Sequence, residues 1–328
     1  MRLIGLAVLL AVSLTLAPLA ANAQQAGKVY RIGWLSPGPT TGPDTFLETF
    51  RQGLREHGWS EGRDVAIEYR GADRKPERFP DLAVELVRAK VDVIVTAGGP
   101  PTLEAARRAT TTIPIVMLAA SVDPIGQGLI VSFARPGGNV TGLVSGPEGL
   151  SGKRLQLLRE AVPRLSRVGV LWDTSTGPYR LLKETEDAAR SLNLDLLPFE
   201  VRGPDDLPGA FRDAVSKRVG AISIASTPLV FQQRKRLADL AVEHRLPTIS
   251  QWRYFAESGG LLTYGPSLPE QFRRAAYFVD RILRGTKPAD LPVEQAMKFE
   301  LVINLKTARA LGLTIPQTIL LQADQVIQ

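Results

Sequence analysis

The chain has 328 residues, of which 44% are hydrophobic and 22% are charged, and its formal net charge is +7. It contains no cysteine and only two histidines, His57 and His244, which excludes disulfides, zinc–thiolate sites, cysteine nucleophiles and a histidine-rich metal site. Basic residues are dispersed among acidic ones, so no nucleic-acid partner is predicted. The length suits two α/β units of roughly 120–150 residues each, and we expect neither a cofactor nor a metal.

The first 23 residues have the pattern of a secretory signal peptide. Arg2 precedes an apolar stretch from Leu3 to Leu16, and Ala21-Asn22-Ala23 forms a small-residue cleavage signal before Gln24. The alternative is an uncleaved membrane anchor, but the apolar stretch is short for a membrane-spanning helix. We therefore predict cleavage after Ala23 and a soluble protein in the periplasm.

Residues 91–131 contain a strand–helix–strand unit. Apolar runs at Val91–Thr96 and Ile113–Leu118 flank a segment of helical composition, Thr102–Ala109, which predicts two parallel strands joined by a helix. Polar turns follow both strands, at Gly98-Gly99 and at Ser121–Pro124. Because small ligands bind at the carboxyl ends of strands in open α/β sheets, we expect these turns to form half of a binding cleft.

Strands and helices alternate on both sides of this unit. Upstream, the pattern predicts strands at Lys28–Leu35 and Val65–Tyr69 and helices at Phe46–His57 and Pro80–Ala89. Downstream, the short strand Val140–Val144 is predicted as the first crossing between two lobes, and the alternation then restarts. The predicted helices there are Leu150–Ala161, Tyr179–Ser191, Asp205–Ser216, Leu229–His244 and Pro269–Leu283. The predicted strands are Arg167–Trp172, Leu194–Glu200, Ala221–Ala225, Pro247–Ser250 and Gly260–Tyr264.

The tail is too small to form a domain. A stiff linker at Lys287–Pro292 precedes a predicted strand, Lys298–Asn304, and a short helix, Leu305–Leu311. We expect it to return the chain across a hinge. The predicted fold is therefore α/β, with two doubly wound parallel-sheet (Rossmann-like) lobes joined by a three-strand hinge. Lobe 1 would comprise residues 28–143 and 267–290, and lobe 2 residues 144–266 and 291–328.

Candidate ligand-binding residues lie in short polar turns that follow predicted strands of both lobes. Helix starts at such turns offer free N–H groups that attract carboxylate or phosphate, and glycines let the main chain approach a ligand closely. Asp123 is a candidate acceptor for an ammonium group, and Trp252 or Trp34 for a flat apolar wall. Each residue alone is equally compatible with ordinary helix capping, so the prediction rests on recurrence in both lobes. The candidates are Ser36, Pro37, Gly98, Gly99, Ser121, Asp123, Thr174, Ser175, Thr227 and Trp252.

Motifs for catalysis are missing from the sequence. It has no glycine-rich dinucleotide or P-loop motif, no zinc-protease motif and no nucleophile elbow. Ser151-Gly152-Lys153-Arg154 lacks a phosphate loop and is assigned to a helix cap. One alternative is an exported hydrolase-type α/β enzyme that uses Asp123 with Asp173, but no nucleophile–base pair can be named. Another is a binding module that serves a membrane sensor.

Seven segments of the mature chain carry a family resemblance. They are RIGWLSPGP, FRQGLREHGW, SVDPIGQGLI, ARPGGNVTGL, SGKRLQLLREAVP, TYGPSLPEQFRRAA and KFELVINLKTARALGLTIP. Together they resemble bacterial ABC-transporter substrate-binding proteins of the type I periplasmic-binding-protein fold, and most closely the tryptophan/tyrosine-transport-type branch.

The resemblance implies two lobes that close on a small solute and present it to an ABC permease in the inner membrane. The implied solute is an amino acid, aromatic ones included, or a small organic acid, and the implied binding protein is a monomer. Of the motifs, the Asp-Pro turn with its following Gly-Leu is present as Asp123-Pro124 and Gly128-Leu129. The family often has Gly-Thr-Pro after the third strand. Here Gly99-Pro100-Pro101 stands in its place, without the hydroxyl.

Overall fold

The computed structural model describes residues 28–40, 44–120, 123–144, 150–174, 180–225, 227–296 and 298–328. The predicted signal peptide lies outside these residues, as do the candidate site residues Ser121 and Ser175. Among the described residues, no helix combines the length and the apolar character needed to cross a bilayer.

The N-terminal part of the chain builds a parallel sheet. Its strands are β1 (Tyr30–Ser36), β2 (Val65–Gly71), β3 (Val93–Thr96), β4 (Ile115–Ala120) and β5 (Val140–Val144), with β11 (Glu294–Gln295) added from the tail. Within the described residues the strand order is β11-β5-β4-β3-β1-β2, and all neighbours are parallel. We call this the first sheet.

Helices cover both faces of the first sheet. They are α1 (Thr45–Glu56), α2 (Phe79–Arg88), α3 (Pro100–Ala109) and, from the later chain, α10 (Leu268–Leu283). The alternation along β1 explains this layering, because Ile32 and Trp34 pack with α1 and α10 whereas Leu35 packs with α2 and α3. Burial of both faces is what a doubly wound parallel sheet requires.

The rest of the chain builds a second sheet with the order β13-β12-β10-β9-β8-β6-β7 in the described part. Its strands are β6 (Arg167–Asp173), β7 (Asp195–Val201), β8 (Ala221–Ile224), β9 (Thr248–Ser250), β10 (Leu262–Pro266), β12 (Phe299–Asn304) and β13 (Gln325–Ile327). The β10–β12 pair is antiparallel and the other pairs are parallel. Its helices are α4 (Leu150–Ala161), α5 (Arg180–Ser191), α6 (Leu207–Ser216), α7 (Pro228–Gln232), α8 (Arg234–Glu243), α9 (Arg253–Glu257), α11 (Leu305–Ala310) and α12 (Gln317–Leu320).

The chain passes between the two sheets after β5, after β10 and after β11. The second and third passages are neighbours, because the Ser267 amide donates a hydrogen bond to the Lys298 carbonyl over 3.0 Å. Glu294 and Gln295 pair with Leu143 and Val144, so these residues belong to the first sheet. The predicted boundaries, which place residue 144 and residues 291–328 with the second lobe, differ from this pairing. A two-residue strand is too short to leave a periodic pattern.

Most predicted elements are present within two residues of their expected ends. The predicted helix Leu229–His244 is wrong as a single element, because Gln233 leaves the helical region at φ −95° and ψ 11° and divides it into α7 and α8. The sequence pattern also missed α9, α12, β11 and β13. Each of these has five residues or fewer, which is less than two helical turns or a full alternation.

Candidate ligand-binding site

The turns that follow β1 and β3 lie side by side at the carboxyl edge of the first sheet. Leu35 pairs with Thr96 in the parallel register, which brings the turn at Ser36-Pro37 next to the turn at Gly98-Gly99. A Cβ atom added to Gly98 would lie 2.8 Å from the Pro37 ring and 2.6 Å from the Thr102 side chain. The two turns therefore lie at one edge of the sheet. The predicted rim pairs Gly98-Gly99 with the turn at Ser121–Pro124, and because residues 121 and 122 lie outside the described residues, that pairing stays a prediction.

Ser36 belongs to a polar network at the start of α1. Its buried hydroxyl donates to Asp44 Oδ2 over 3.1 Å and accepts from the Gly38 amide over 3.0 Å. Asp44 is the N-cap of α1, since Oδ1 accepts from the Phe46 amide over 2.9 Å and from the next amide over 3.1 Å. The Tyr69 hydroxyl donates to Asp44 Oδ2 over 3.4 Å. The network fixes the first turn of α1, and with it Phe46, at the rim.

Tyr69 reports on this network through its ionisation. Burial, followed by the negative charge of Asp44, raises the pKa of Tyr69 to about 12. A pKa above the unfolded value means that the stabilisation is complete below pH 10 and is lost as the pH rises toward 12.

We expect Asp44→Asn to lower the pKa of Tyr69 by removing the charge, while burial keeps it above the ordinary value. Ultraviolet titration of tyrosinate, with Tyr69→Phe to assign the signal, measures this. An unchanged titration in Asp44→Asn would show that the two groups are not coupled.

The start of α3 is poor in hydrogen-bond donors. Gly99 is its N-cap at φ 72° and ψ −153°, a conformation that needs glycine, and Pro100 and Pro101 occupy the first two helical positions. Proline carries no N–H, so this helix start lacks two of the amides that ordinarily attract an anion. Thr102 is buried and its hydroxyl donates to the Gly99 carbonyl over 2.9 Å. The expectation that the Gly98-Gly99 turn binds a carboxylate through a helix start is weakened accordingly.

Asp123 caps its own turn. Its Oδ1 accepts from the Gly126 amide over 2.9 Å, and the residue is exposed in the loop after β4. A Cβ atom on Gly126 would lie 2.2 Å from Asp123 Oδ2. The local geometry accounts for Asp123 as a turn residue, and its contact with a ligand ammonium group stays a prediction.

The second sheet places its candidate residues at the equivalent edge. Thr174 follows the buried Asp173 at the end of β6 and is half-buried. Thr227 caps α7, because its hydroxyl accepts from the Val230 amide over 3.3 Å. Trp252 is the N-cap of α9 and packs against the core of the first sheet. Trp252 is thus a point where the two sheets meet.

Aromatic side chains join the two carboxyl edges. The Phe46 ring, in the first turn of α1, stacks on Phe272 at 4.5 Å between centroids. It also lies 5.9 Å from Tyr254 and 6.1 Å from Phe231, which belong to helices that follow strands of the second sheet. Phe231 in turn lies 5.9 Å from Trp252. We call these five residues the aromatic cluster. It shows that the carboxyl edges of the two sheets face each other.

Several buried polar atoms near the aromatic cluster have no hydrogen-bond partner within the part of the chain that the structure describes. Both amide atoms of Gln271 are among them, and Gln271 precedes Phe272 on α10. The indole N–H groups of Trp34 and Trp252 also have none. Buried polar groups are ordinarily paired in native structures, so these groups are exceptions to that rule.

The sequence missed Phe46, Phe231, Tyr254 and Gln271 as site residues. A usable signal existed for Phe46, because it falls in the first helical turn after the predicted Ser36-Pro37 turn. Trp34, proposed as an alternative wall, is fully buried in the first core, beneath Phe50 and Phe272. Trp34 therefore packs against Phe272 of the aromatic cluster from the core side.

A separate surface pocket of about 220 Å³ lies at the far end of α1. It is lined by Arg51, Leu54, Arg55, Trp59, Ser60 and Glu61. Arg51 is already paired with Glu48 and Glu61, and the Trp59 indole donates to Asp280 over 2.9 Å. Arg51 and Trp59 are therefore already engaged by protein groups at this pocket.

Several solved structures share this fold. A complex of a Streptococcus pneumonia ABC domain with L-Trp is 24% identical, with a TM-score of 0.81, and the match covers 92% of this chain and all of that chain. The ligand-free, open structure of a substrate binding protein with adhesive properties from Clostridium difficile is 22% identical, with a TM-score of 0.70, over 92% of this chain and all of that chain. A conserved domain protein from Vibrio cholerae is 26% identical, with a TM-score of 0.81, over 91% of this chain and all of that one. The fold is that of periplasmic binding proteins.

A match to a family model identifies the family of this chain. The model of the ABC transporter substrate binding protein family matches residues 41–327, and the chain belongs to this family. A curated relative, the tyrosine-binding protein of Clostridioides difficile (strain R20291), is 27% identical over 275 residues, which are 82% of this chain and 77% of the relative. The protein is therefore a substrate-binding protein of an ABC transporter, which binds a small solute outside the cytoplasm for a partner permease.

Proposed function

We propose that the solute is an aromatic L-amino acid, bound between the carboxyl edges of the two sheets. The observation that carries this proposal is the contact of Phe46 with Phe231 and Tyr254, which puts aromatic rings from both sheets on one cleft. Aromatic rings pack favourably in offset and edge-to-face geometries, so such a cluster suits a ligand ring. The tyrosine-binding relative supports the same ligand class.

The two sheets act as two lobes that close on the solute and release it unchanged. The chain crosses between the sheets three times, and the hydrogen bond from Ser267 to Lys298 ties two of these passages together. Such a hinge lets the carboxyl edges separate while each sheet keeps its own core. No bond-breaking step is assigned to any residue, so substrate turnover by the purified protein would contradict this part of the proposal.

Isothermal titration calorimetry and thermal shift test the ligand class. We expect L-tyrosine or L-tryptophan to bind and to raise the melting temperature, while L-leucine, L-glutamate and a small dicarboxylic acid leave it unchanged. Ligand at about 100 times its dissociation constant stabilises the folded protein by roughly 2.7 kcal/mol. Preferential binding of an aliphatic or acidic solute would contradict the assignment of an aromatic amino acid as the solute. It would leave the transport role intact.

The protein is further proposed to be a periplasmic monomer with its signal peptide removed after Ala23. The sequence pattern of residues 1–23 supports export. N-terminal sequencing of protein from a periplasmic extract should begin at Gln24, and size-exclusion chromatography with light scattering should give one chain. A sensor role in place of import is the alternative, and uptake of the bound amino acid by cells that carry the intact gene distinguishes the two.

A further inference from the structure

Arg154 is a buried arginine whose charge has no ion-pair partner among the described residues. It lies in the second turn of α4 and is only 6% exposed. Its guanidinium donates to the Ser151 hydroxyl over 3.0 Å and to the Tyr264 carbonyl over 3.4 Å. Glu184, the acidic group that acts on it through space, bonds the Ser151 amide over 3.2 Å instead of the guanidinium.

Such an arrangement is costly in the free protein. Guanidinium groups carry five N–H donors, and a buried charge is ordinarily neutralised by a carboxylate or phosphate in direct contact. Burial lowers the pKa of Arg154 to about 10, and the through-space attraction of Glu184 offsets only part of this lowering. An anion supplied from outside the chain would remove this cost.

Arg154 lies close to the carboxyl end of a strand of the second sheet. Its partner Tyr264 is in β10, two residues from the carboxyl end of that strand, and Ser267 directly after the strand begins the second passage between the sheets. Arg154 is therefore at the hinge side of the same edge that carries Trp252. On the facing edge, Pro100 and Pro101 remove two helix-start amides, so the first sheet is short of donors for an anion there.

We infer that Arg154 binds the carboxylate of the transported solute. The inference rests on the proposed function and adds the specificity element, since a planar guanidinium matches a carboxylate with two parallel hydrogen bonds. The aromatic cluster then holds the side chain of the amino acid while Arg154 selects for a free acid. Amide or decarboxylated analogues, such as L-tyrosinamide and tyramine, lack the group that Arg154 recognises.

The test compares L-tyrosine with L-tyrosinamide by calorimetry on the wild type, on Arg154→Met and on Arg159→Met. Arg159 is the matched control, because it is an exposed arginine on the same helix. We expect Arg154→Met to weaken L-tyrosine binding about 30-fold and to leave tyrosinamide binding within about twofold, with Arg159→Met like the wild type. The ligand-free melting temperature of Arg154→Met should be unchanged or higher, because a buried charge without an ion-pair partner has been removed.

Other results overturn the inference. If Arg154→Met binds L-tyrosine like the wild type, or loses both ligands equally together with ligand-free stability, Arg154 has a structural role. Arg154→Lys keeps the positive charge but lacks the two parallel N–H donors of the guanidinium, so its affinity for L-tyrosine should fall about tenfold. This variant serves as the test if Arg154→Met fails to fold. A wild type that binds a different carboxylic acid refutes only the aromatic assignment, and the same comparison then uses that acid and its amide. A wild type that binds no carboxylate at all refutes both.

Discussion

Phe46→Ala is expected to weaken L-tyrosine binding by about 10- to 100-fold while leaving the protein folded. The Phe46 ring contacts Phe231 and Tyr254 across the two carboxyl edges, and each aromatic pair contributes roughly 0.5–1.5 kcal/mol. These contacts require the edges to be close together. Their loss therefore favours the open arrangement of the sheets, and a ligand that binds the closed arrangement loses affinity by the same free energy.

Calorimetry with L-tyrosine measures the effect, and Tyr277→Ala is the matched control. Tyr277 is another half-buried aromatic residue, on α10, and it packs against the core of the first sheet. Its ring neighbours are His57, Phe278 and the guanidinium of Arg274. The control should lower the melting temperature without changing the dissociation constant. If both variants bind like the wild type, the aromatic cluster has no part in binding.

Gly265→Ala is expected to destabilise the protein and to weaken ligand binding together. A Cβ atom at this position in β10 would lie 2.4 Å from the Gln251 carbonyl oxygen, a contact that requires the backbone to move. Gln251 directly precedes Trp252, so the turn that carries Trp252 must shift. Crowding of this kind in a packed region costs about 1–3 kcal/mol. The displaced indole should also lower the affinity for L-tyrosine by about tenfold.

Gly138→Ala provides the comparison for this variant, because no heavy atom lies within 4 Å of the added methyl group and its backbone is not in the left-handed region. It should melt within about a degree of the wild type and bind normally. Denaturant unfolding and calorimetry give the two quantities. A stable Gly265→Ala protein with undiminished affinity would show that the edge of the second sheet tolerates displacement and that Trp252 is not a contact residue.

The fold was largely predictable because its determinants are local. Buried strands such as Val140–Val144 are apolar runs bounded by turn residues, and helices such as Leu150–Ala161 have regular apolar spacing, so both were predicted with their observed ends. The neighbouring placement of the Ser36-Pro37 and Gly98-Gly99 turns follows from the parallel pairing of β1 with β3. Short elements such as Glu294–Gln295 carry no periodic signal, and this is why the boundary of the first sheet was misplaced.

The chemistry of the site was less accessible to sequence analysis. Phe46 and Phe231 lie far apart in the chain, and only the mutual placement of the two sheets brings their rings to 6.1 Å. Arg154 was assigned to a helix cap, because nothing in SGKR indicates that β10 and α4 will bury the guanidinium. Asp123 was a candidate acceptor for a ligand ammonium group, and its carboxylate accepts a hydrogen bond from the Gly126 amide of its own turn.

A crystal structure of the mature protein grown with L-tyrosine is the most direct test of where the solute binds. We predict electron density for one amino acid between the carboxyl edges of the two sheets, with its ring among Phe46, Phe231 and Tyr254. Density only at the surface pocket beside Arg51 and Trp59, or an empty cleft at saturating L-tyrosine, would contradict the account.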